Sequence, residues 1–230
     1  NKNIFCEKPL CIDRKELGLI SSEIDNQKIL IGYNRRFSSH SKFIKSYLDS
    51  SPLMMLCRIN AGHIQNDSWI IDKSIGGGRI IGEVCHFVDL FTYFSSGIPI
   101  SVNAKKMFNT QENQSDVSIN ISFSDGSLGT ILFTSVGSNN LGKEYYELHQ
   151  NGKSFIIDDF KKSKVISKTK TISNNKIFQD KGQKNMVNAF FENIQKSEKN
   201  IIPINEIITV SKTTFAIEES IKFDGKNTKI

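Results

Sequence analysis

Three short constellations in this 230-residue chain hold the residue types that chemistry uses. Glu7-Lys8-Pro9 closes the apolar run Ile4-Phe5-Cys6. A lysine there either holds a substrate hydroxyl and tunes a neighbouring proton-transfer group by its charge, or is a solvated turn residue. Gly32-Tyr33-Asn34-Arg35-Arg36-Phe37 closes a second apolar run, and its two arginines either bind an anionic group or stay in water. The third constellation is spread wider. Trp69 and Asp72 lead to Gly76-Gly77-Gly78, followed by Gly82-Glu83, His86 and Asp89. The segment around His86 is too apolar to be exposed. A buried histidine is more often a satisfied core residue than a catalyst, yet three glycines ahead of it allow close approach of a backbone or a ligand. Asp89, one helical turn later, could orient His86 or pair with it.

These residues need elements to position them. Ile4–Cys6 reads as a short strand. Asp13-Arg14-Lys15-Glu16 has the form of a capping box opening a helix to about Asp25. Lys28-Ile29-Leu30-Ile31-Gly32-Tyr33 is a nearly unbroken apolar strand, the pattern of one covered on both faces. Strand, helix, strand over residues 1–37 suits the end of a doubly wound parallel sheet. Both motifs then lie at carboxyl ends of parallel strands, where such sheets bind ligands. Phe37–Leu48 reads as a helix, Leu53–Asn60 as a strand, and Arg79–Ser95, apolar on every side, as a buried helix.

Beyond Pro99 the period becomes two. Val117, Ile119, Ile121 and Phe123 alternate with polar residues up to Asp125-Gly126. A two-residue turn there pairs Phe123 with Leu128, Ile121 with Thr130 and Ile119 with Leu132. It leaves Ile131 and Phe133 on the opposite face. A second turn at Asn151-Gly152 sets Tyr146 opposite Ile157 and Leu148 opposite Phe155. Lys164–Thr171 reads as a further strand or extended edge. Helices over about Asn185–Lys196 and Asn205–Lys222 close the chain. The expected fold is α+β: an open antiparallel sheet covered by helices on one face over residues 38–230, after a last β-α-β piece of a parallel sheet. The other, partly apolar sheet face suits contact with a second copy of the chain.

Composition narrows the classes. Hydrophobic residues are 38%, and no run approaches the length that spans a membrane. The net charge is +6, concentrated in residues 161–184, which hold eight lysines and one acid, Asp180. Nucleic-acid binding would ask for arginines and several stacking aromatics in that run, and only Phe178 is there. It reads as a solvated, mobile basic loop. The four cysteines form no C-x-x-C, and their spacing suits neither a metal site nor a disulfide framework. They read as reduced thiols of a cytoplasmic protein. No G-x-G-x-x-G, P-loop, H-E-x-x-H or G-x-S-x-G occurs.

Glu-Lys-Pro, the N-R-R-F strand end, W-x-x-D-x-x-x-G-G-G and the helix bearing His86, in this order and spacing, resemble the Gfo/Idh/MocA oxidoreductases from their Glu-Lys-Pro motif onward. The run Gly76–Leu90, with Asn60-Ala61-Gly62 and Asp67-Ser68-Trp69 ahead of it, looks most like the branch in which this unit ends a larger bi-domain oxidoreductase.

The resemblance implies a Rossmann domain binding NAD or NADP, its fingerprint lying ahead of Asn1, and a second domain that holds substrate and forms the oligomer. It implies hydride transfer between nicotinamide and a hydroxyl-bearing carbon of a sugar, cyclitol or sugar nucleotide. Lys8 and His86 would be catalytic, His86 as general acid/base. Glu7, Lys8 and Pro9 would lie beside the cofactor. Arg35, Arg36, Trp69, Asp72, Gly82 and Glu83 would line or brace the substrate pocket. No metal is implied. The chain departs from the pattern at Gly82, where the family commonly has aspartate. Glu83 cannot simply replace it, because one residue turns a helix by about 100°. Alternatives are a non-catalytic sugar-binding or oligomerisation module, or transient oxidation by bound NAD in epimerisation or glycoside cleavage. The chain alone is expected to be inactive without the dinucleotide-binding part.

Overall fold

The computed structural model describes residues 2–24, 28–65, 67–108, 115–196 and 200–230. Strand β1 (Asn3–Cys6), helix α1 (Arg14–Glu23) and strand β2 (Lys28–Ile31) open it, with β1 and β2 paired in parallel. The Asp13 carboxylate caps α1 by accepting from the Glu16 N–H at 2.8 Å, and Glu16 reaches back to the Ile12 N–H at 3.0 Å. These bonds satisfy amide donors that a helix start leaves unpaired. The expected helix end at Asp25 lies outside the described residues. Leu30 and Ile31 are buried, as a strand covered on both faces requires.

A 3₁₀ turn (Asn34–Phe37) then delays the next helix, so α2 spans only Ser39–Lys45, with the Ser38 hydroxyl accepting from the His40 N–H at 3.1 Å. Strand β3 (Met54–Asn60) follows. A π-helical turn (Ile80–Val84) runs into α3 (Cys85–Phe94). After it come β4 (Pro99–Lys106), β5 (Val117–Phe123), β6 (Leu128–Thr134), β7 (Glu144–Gln150), β8 (Lys153–Asp158), β9 (Lys162–Ile166) and β10 (Thr171–Asn175). Helices α4 (Gln183–Lys196) and α5 (Ile204–Lys222) and the short β11 (Thr228–Lys229) complete the described chain. No described helix is long and apolar enough to cross a membrane.

Nine strands form one sheet in the order β10-β9-β8-β7-β3-β6-β5-β4-β11, antiparallel at every junction except β3–β6. Its inner face packs on α3 and α5. The approach is close at Gly129, where a Cβ would come within 2.6 Å of the Phe91 ring. Tyr146 pairs with Ile157 and Leu148 with Phe155, around a turn in which Asn151 and Gly152 both have positive φ.

The first hairpin departs from its expected register by one residue. Ile119 pairs with Ile131 and Val117 with Phe133, so Ile131 and Phe133 are buried in the core and not on the open face. The turn is a three-residue loop: Phe123 N donates to Ser127 O at 3.0 Å, and Gly126 alone carries the positive φ. The Asp125 carboxylate accepts from the Ser127 N–H and from the Ser95 hydroxyl at the end of α3, each at 2.9 Å. A one-residue slip turns every side chain over. Keeping two large apolar groups buried is worth about 1.5–3 kcal/mol each, more than a turn preference.

The basic run is also corrected. It is not a loop throughout: residues 162–175 form the β9–β10 hairpin at the sheet edge. All four cysteines are free, and Cys11, Cys57 and Cys85 are buried.

Candidate active site

The carboxyl ends of β1 and β2 lie side by side, tied by the Gly32 N–H donating to Cys6 O at 2.8 Å. Glu7 and a cis Lys8-Pro9 peptide follow β1, and Gly32 follows β2. A Cβ at Gly32 would meet Glu7 Oε2 at 2.7 Å and Lys8 N at 3.3 Å, so only glycine lets the two strand ends approach this closely. The Lys8 ammonium donates to Gly82 O at 2.5 Å. Gly82 sits in the π-helical turn, four residues before His86. Lys8 is therefore held one turn from His86, where its charge acts on the ring, although 78 positions separate the two in sequence.

The departure at Gly82 has a packing cause. A Cβ there would come within 2.9 Å of Gly76 O, because the loop from Trp69 to Gly78 crosses the helix at this point. The close backbone approach expected of the three glycines is made by the protein's own loop.

His86 lines a cleft of ≈ 330 Å³ with Glu7, Gly32, Asn34, Arg35 and Lys181. Its Nδ1 is buried and has no hydrogen-bond partner among the described residues. Burial, and then the positive charges of Arg35, Lys8, Lys181 and Lys143, push its pKa well below the ordinary 6.5. His86 is therefore a neutral imidazole at pH 7, able to take a proton.

Both arginines are drawn inward. Arg35 makes a two-pronged ion pair with Glu144, Nε to Oε2 and Nη2 to Oε1, each at 2.8 Å. It borders the cleft, but its charge is committed. Arg36 grips Asp89 at 2.6 and 3.0 Å and reaches Glu206 at 3.1 Å. It braces the 3₁₀ turn against α3 and α5 and does not line the cleft. Asp89 thus pairs with Arg36, not with His86 as its spacing suggested. Burial raises the Asp89 pKa to about 6 against the pull of Arg36, leaving it mostly ionised at pH 7.

Three other candidates also lie elsewhere. Trp69 is 59% exposed on its loop. Asp72 accepts from the Ser74 N–H at 2.8 Å and the Ser74 hydroxyl at 2.6 Å, shaping that loop. Glu83 pairs with Arg79 at 2.7 Å. None of the three lines the cleft around His86.

Two residues of the site carry no motif in the sequence. Glu144 is fully buried and binds Arg35, the Lys181 ammonium at 2.8 Å and the Tyr146 hydroxyl at 2.8 Å. Burial works against its charge, but Arg35 and Lys181 hold its pKa down at about 2. Lys181 belongs to the basic run that reads as solvated. Gly182 holds Lys181 in place: a Cβ there would be driven into the 3₁₀ turn, and the Asn34 side-chain amide donates to Lys181 O at 2.8 Å.

No protein-family model matches the chain, and no curated protein matches it in sequence. Solved structures do match. Aldose-aldose oxidoreductase from Caulobacter crescentus, complexed with glycerol, has a TM-score of 0.81 at 16% identity, over 100% of this chain and 72% of that one. Levoglucosan dehydrogenase in complex with NADH and levoglucosan has a TM-score of 0.80 at 18% identity, over 100% and 74%. An NAD binding oxidoreductase from Klebsiella pneumoniae has a TM-score of 0.80 at 16% identity, over 100% and 74%. The α+β architecture, with its parallel strand pair and its large mostly antiparallel sheet, is the fold of Gfo/Idh/MocA-type oxidoreductases.

Proposed function

We propose that this chain is the substrate-binding and catalytic part of an NAD(P)-dependent oxidoreductase acting on a CH–OH carbon of a sugar, cyclitol or sugar nucleotide. One arrangement carries the reading. A neutral His86 with an unpartnered ring nitrogen lines a cleft at the carboxyl ends of two parallel strands, and Lys8 is anchored one helical turn away. The fold is shared with structures that hold NADH, levoglucosan or glycerol.

The residues fit a nicotinamide at the cleft's edge. Glu7 and Gly32 line the cleft where the two parallel strands end, and Glu7, Lys8 and Pro9 would border the ring. When bound, that group supplies an acceptor for the hydride leaving the carbinol carbon. His86 takes the hydroxyl proton as the carbonyl forms and returns it in the reverse direction. Lys8 stabilises negative charge growing on the oxygen and keeps His86 unprotonated beforehand. The dinucleotide fingerprint is absent from these 230 residues. The test is therefore made on the full-length protein, and the 230 residues alone are expected to turn nothing over. With NAD or NADP and a panel of sugars, cyclitols and sugar nucleotides, at least one pair should yield reduced nicotinamide. Silence across the panel with both cofactors would retire the reading.

The open sheet face completes the proposal as a contact between two copies of the chain. Met54, Leu56, Leu128 and Leu132 are 57%, 41%, 47% and 45% exposed on neighbouring strands β3 and β6. Met54 pairs with Leu128 and lies beside Leu56, with Thr130 and Arg58 between these and Leu132, and exposed apolar side chains grouped in this way suit an interaction surface. Light scattering at micromolar concentration should give a dimer or larger, and Leu132→Asp should shift it toward monomer. A monomeric parent protein would remove this element.

A further inference from the structure

The charges around His86 do not balance. Arg35, Lys8, Lys181 and Lys143 all act on it, and each can be followed to its partner. Arg35 and Lys181 share one carboxylate, that of Glu144. Lys8 donates to the carbonyl of Gly82 and has no carboxylate partner among the described residues. Lys143 is half-buried, and its ammonium forms no ion pair or hydrogen bond among the described residues, its backbone carbonyl alone accepting from the Asn60 N–H. The nearby Glu83 is held by Arg79. Glu7, at the rim of the cleft, adds one further carboxylate. Among the described residues four cations thus face two carboxylates, with Glu83 already paired to Arg79.

Such an excess is expensive in a partly buried site. Unpaired charge loses hydration without recovering it from a partner. A ligand bringing negative charge would relieve it, and Lys181 is placed to receive it: its ammonium stands in the cleft wall with His86, 17% exposed.

We propose that the substrate of this site carries an anionic group, a carboxylate or a phosphate, received by Lys181 with the charge of Lys143 added to it, while the hydroxyl to be oxidised faces His86 and Lys8. The inference rests on the oxidoreductase reading and narrows its substrate class. It has a mechanistic corollary. An anion beside Lys181 offsets the cations that hold His86 unprotonated, so substrate binding makes His86 a stronger base at the moment it is needed.

The test uses the full-length protein with saturating NAD or NADP, so that the cofactor's own phosphates occupy their place. Binding of glucuronate, glucose 6-phosphate, glucose and myo-inositol is measured by calorimetry, and hydride transfer from each by absorbance. At least one anionic probe should bind tenfold or more tightly than the neutral ones, and which one does so separates carboxylate from phosphate. That preference should shrink at least tenfold in Lys181→Met and in Lys143→Met. Lys143→Met strands no partner and guards against a folding defect in the other variant. Neutral sugars binding as tightly as both anions, or a preference indifferent to both substitutions, overturns the proposal. A lysine-dependent preference for anions upholds the anionic site, and where no probe yields hydride transfer the wider panel decides the oxidoreductase reading. Hydride transfer from neutral sugars alone upholds the oxidoreductase reading and overturns the anionic site.

Discussion

Replacing His86 by alanine in the full-length protein is expected to lower turnover by about 10²–10⁴-fold, the usual scale for losing a positioned general acid/base. Cofactor binding should survive on the proposed reading, in which Glu7, Lys8 and Pro9, not His86, border the nicotinamide. The residue is 9% exposed and lines the cleft, with no hydrogen-bond partner on Nδ1 among the described residues. Stability should respond as well. Folded His86 resists protonation, whereas in the unfolded chain it titrates near 6.5. The unfolded state therefore binds more protons below that pH, and stability is lost as pH falls through and below 6.5. The alanine variant lacks this penalty and should melt less steeply with acid. Unchanged turnover in a folded His86→Ala protein would remove the residue from the mechanism. Lost turnover together with a collapsed melting curve would make it a packing residue.

Glu144→Gln should be the most damaging single change to the fold around the site. Glutamine keeps the shape and one acceptor oxygen but removes the charge that Arg35 and Lys181 share. Breaking a buried ion pair from one side costs about 3–5 kcal/mol, because the partner charge stays buried. For a chain of this size that is a melting-temperature drop on the order of 10 °C. Arg35→Met combined with Glu144→Gln should be less damaging than the two costs added, since fewer buried charges are stranded. The acid limb gives an independent reading. Glu144 titrates at about 2 when folded, against 4.5 for an ordinary glutamate. Its contribution is complete above 4.5 and is lost as pH falls toward 2, and the glutamine variant should lack that limb. A variant melting within a degree or two of the parent would show that Glu144 does not hold the site together.

The Glu144 prediction was not visible in the linear chain, and the reason is general. Glu144 looks like any glutamate at the start of an amphipathic strand, and Arg35 lies 109 positions away. Lys181 sits in a lysine-rich run whose other members are mostly solvated, so nothing in its neighbours marks it as the one that turns inward. Arg36 and Asp89, 53 positions apart, likewise found each other rather than solvent or His86. Long-range pairing of charges follows from how the backbone is laid out, not from local spacing.

What the residues determined by themselves was everything with a short range. The Asp13 cap, the apolar strand ending at Gly32, the period-two strands and the Asn151-Gly152 turn each depend on a few consecutive side chains and on backbone sterics. Local sequence left Lys8 and His86 open between structural and chemical roles, and only the resemblance of the combined motifs singled them out. Tertiary structure decided the rest. It set the β5–β6 register, because burying Ile131 and Phe133 outweighs a turn preference. It set Gly82, because the Gly76 carbonyl occupies the space a side chain would need. It also kept Trp69, Asp72 and Glu83 out of the cleft and brought Lys181 in, since a cleft is made of surfaces that meet only after the chain has folded.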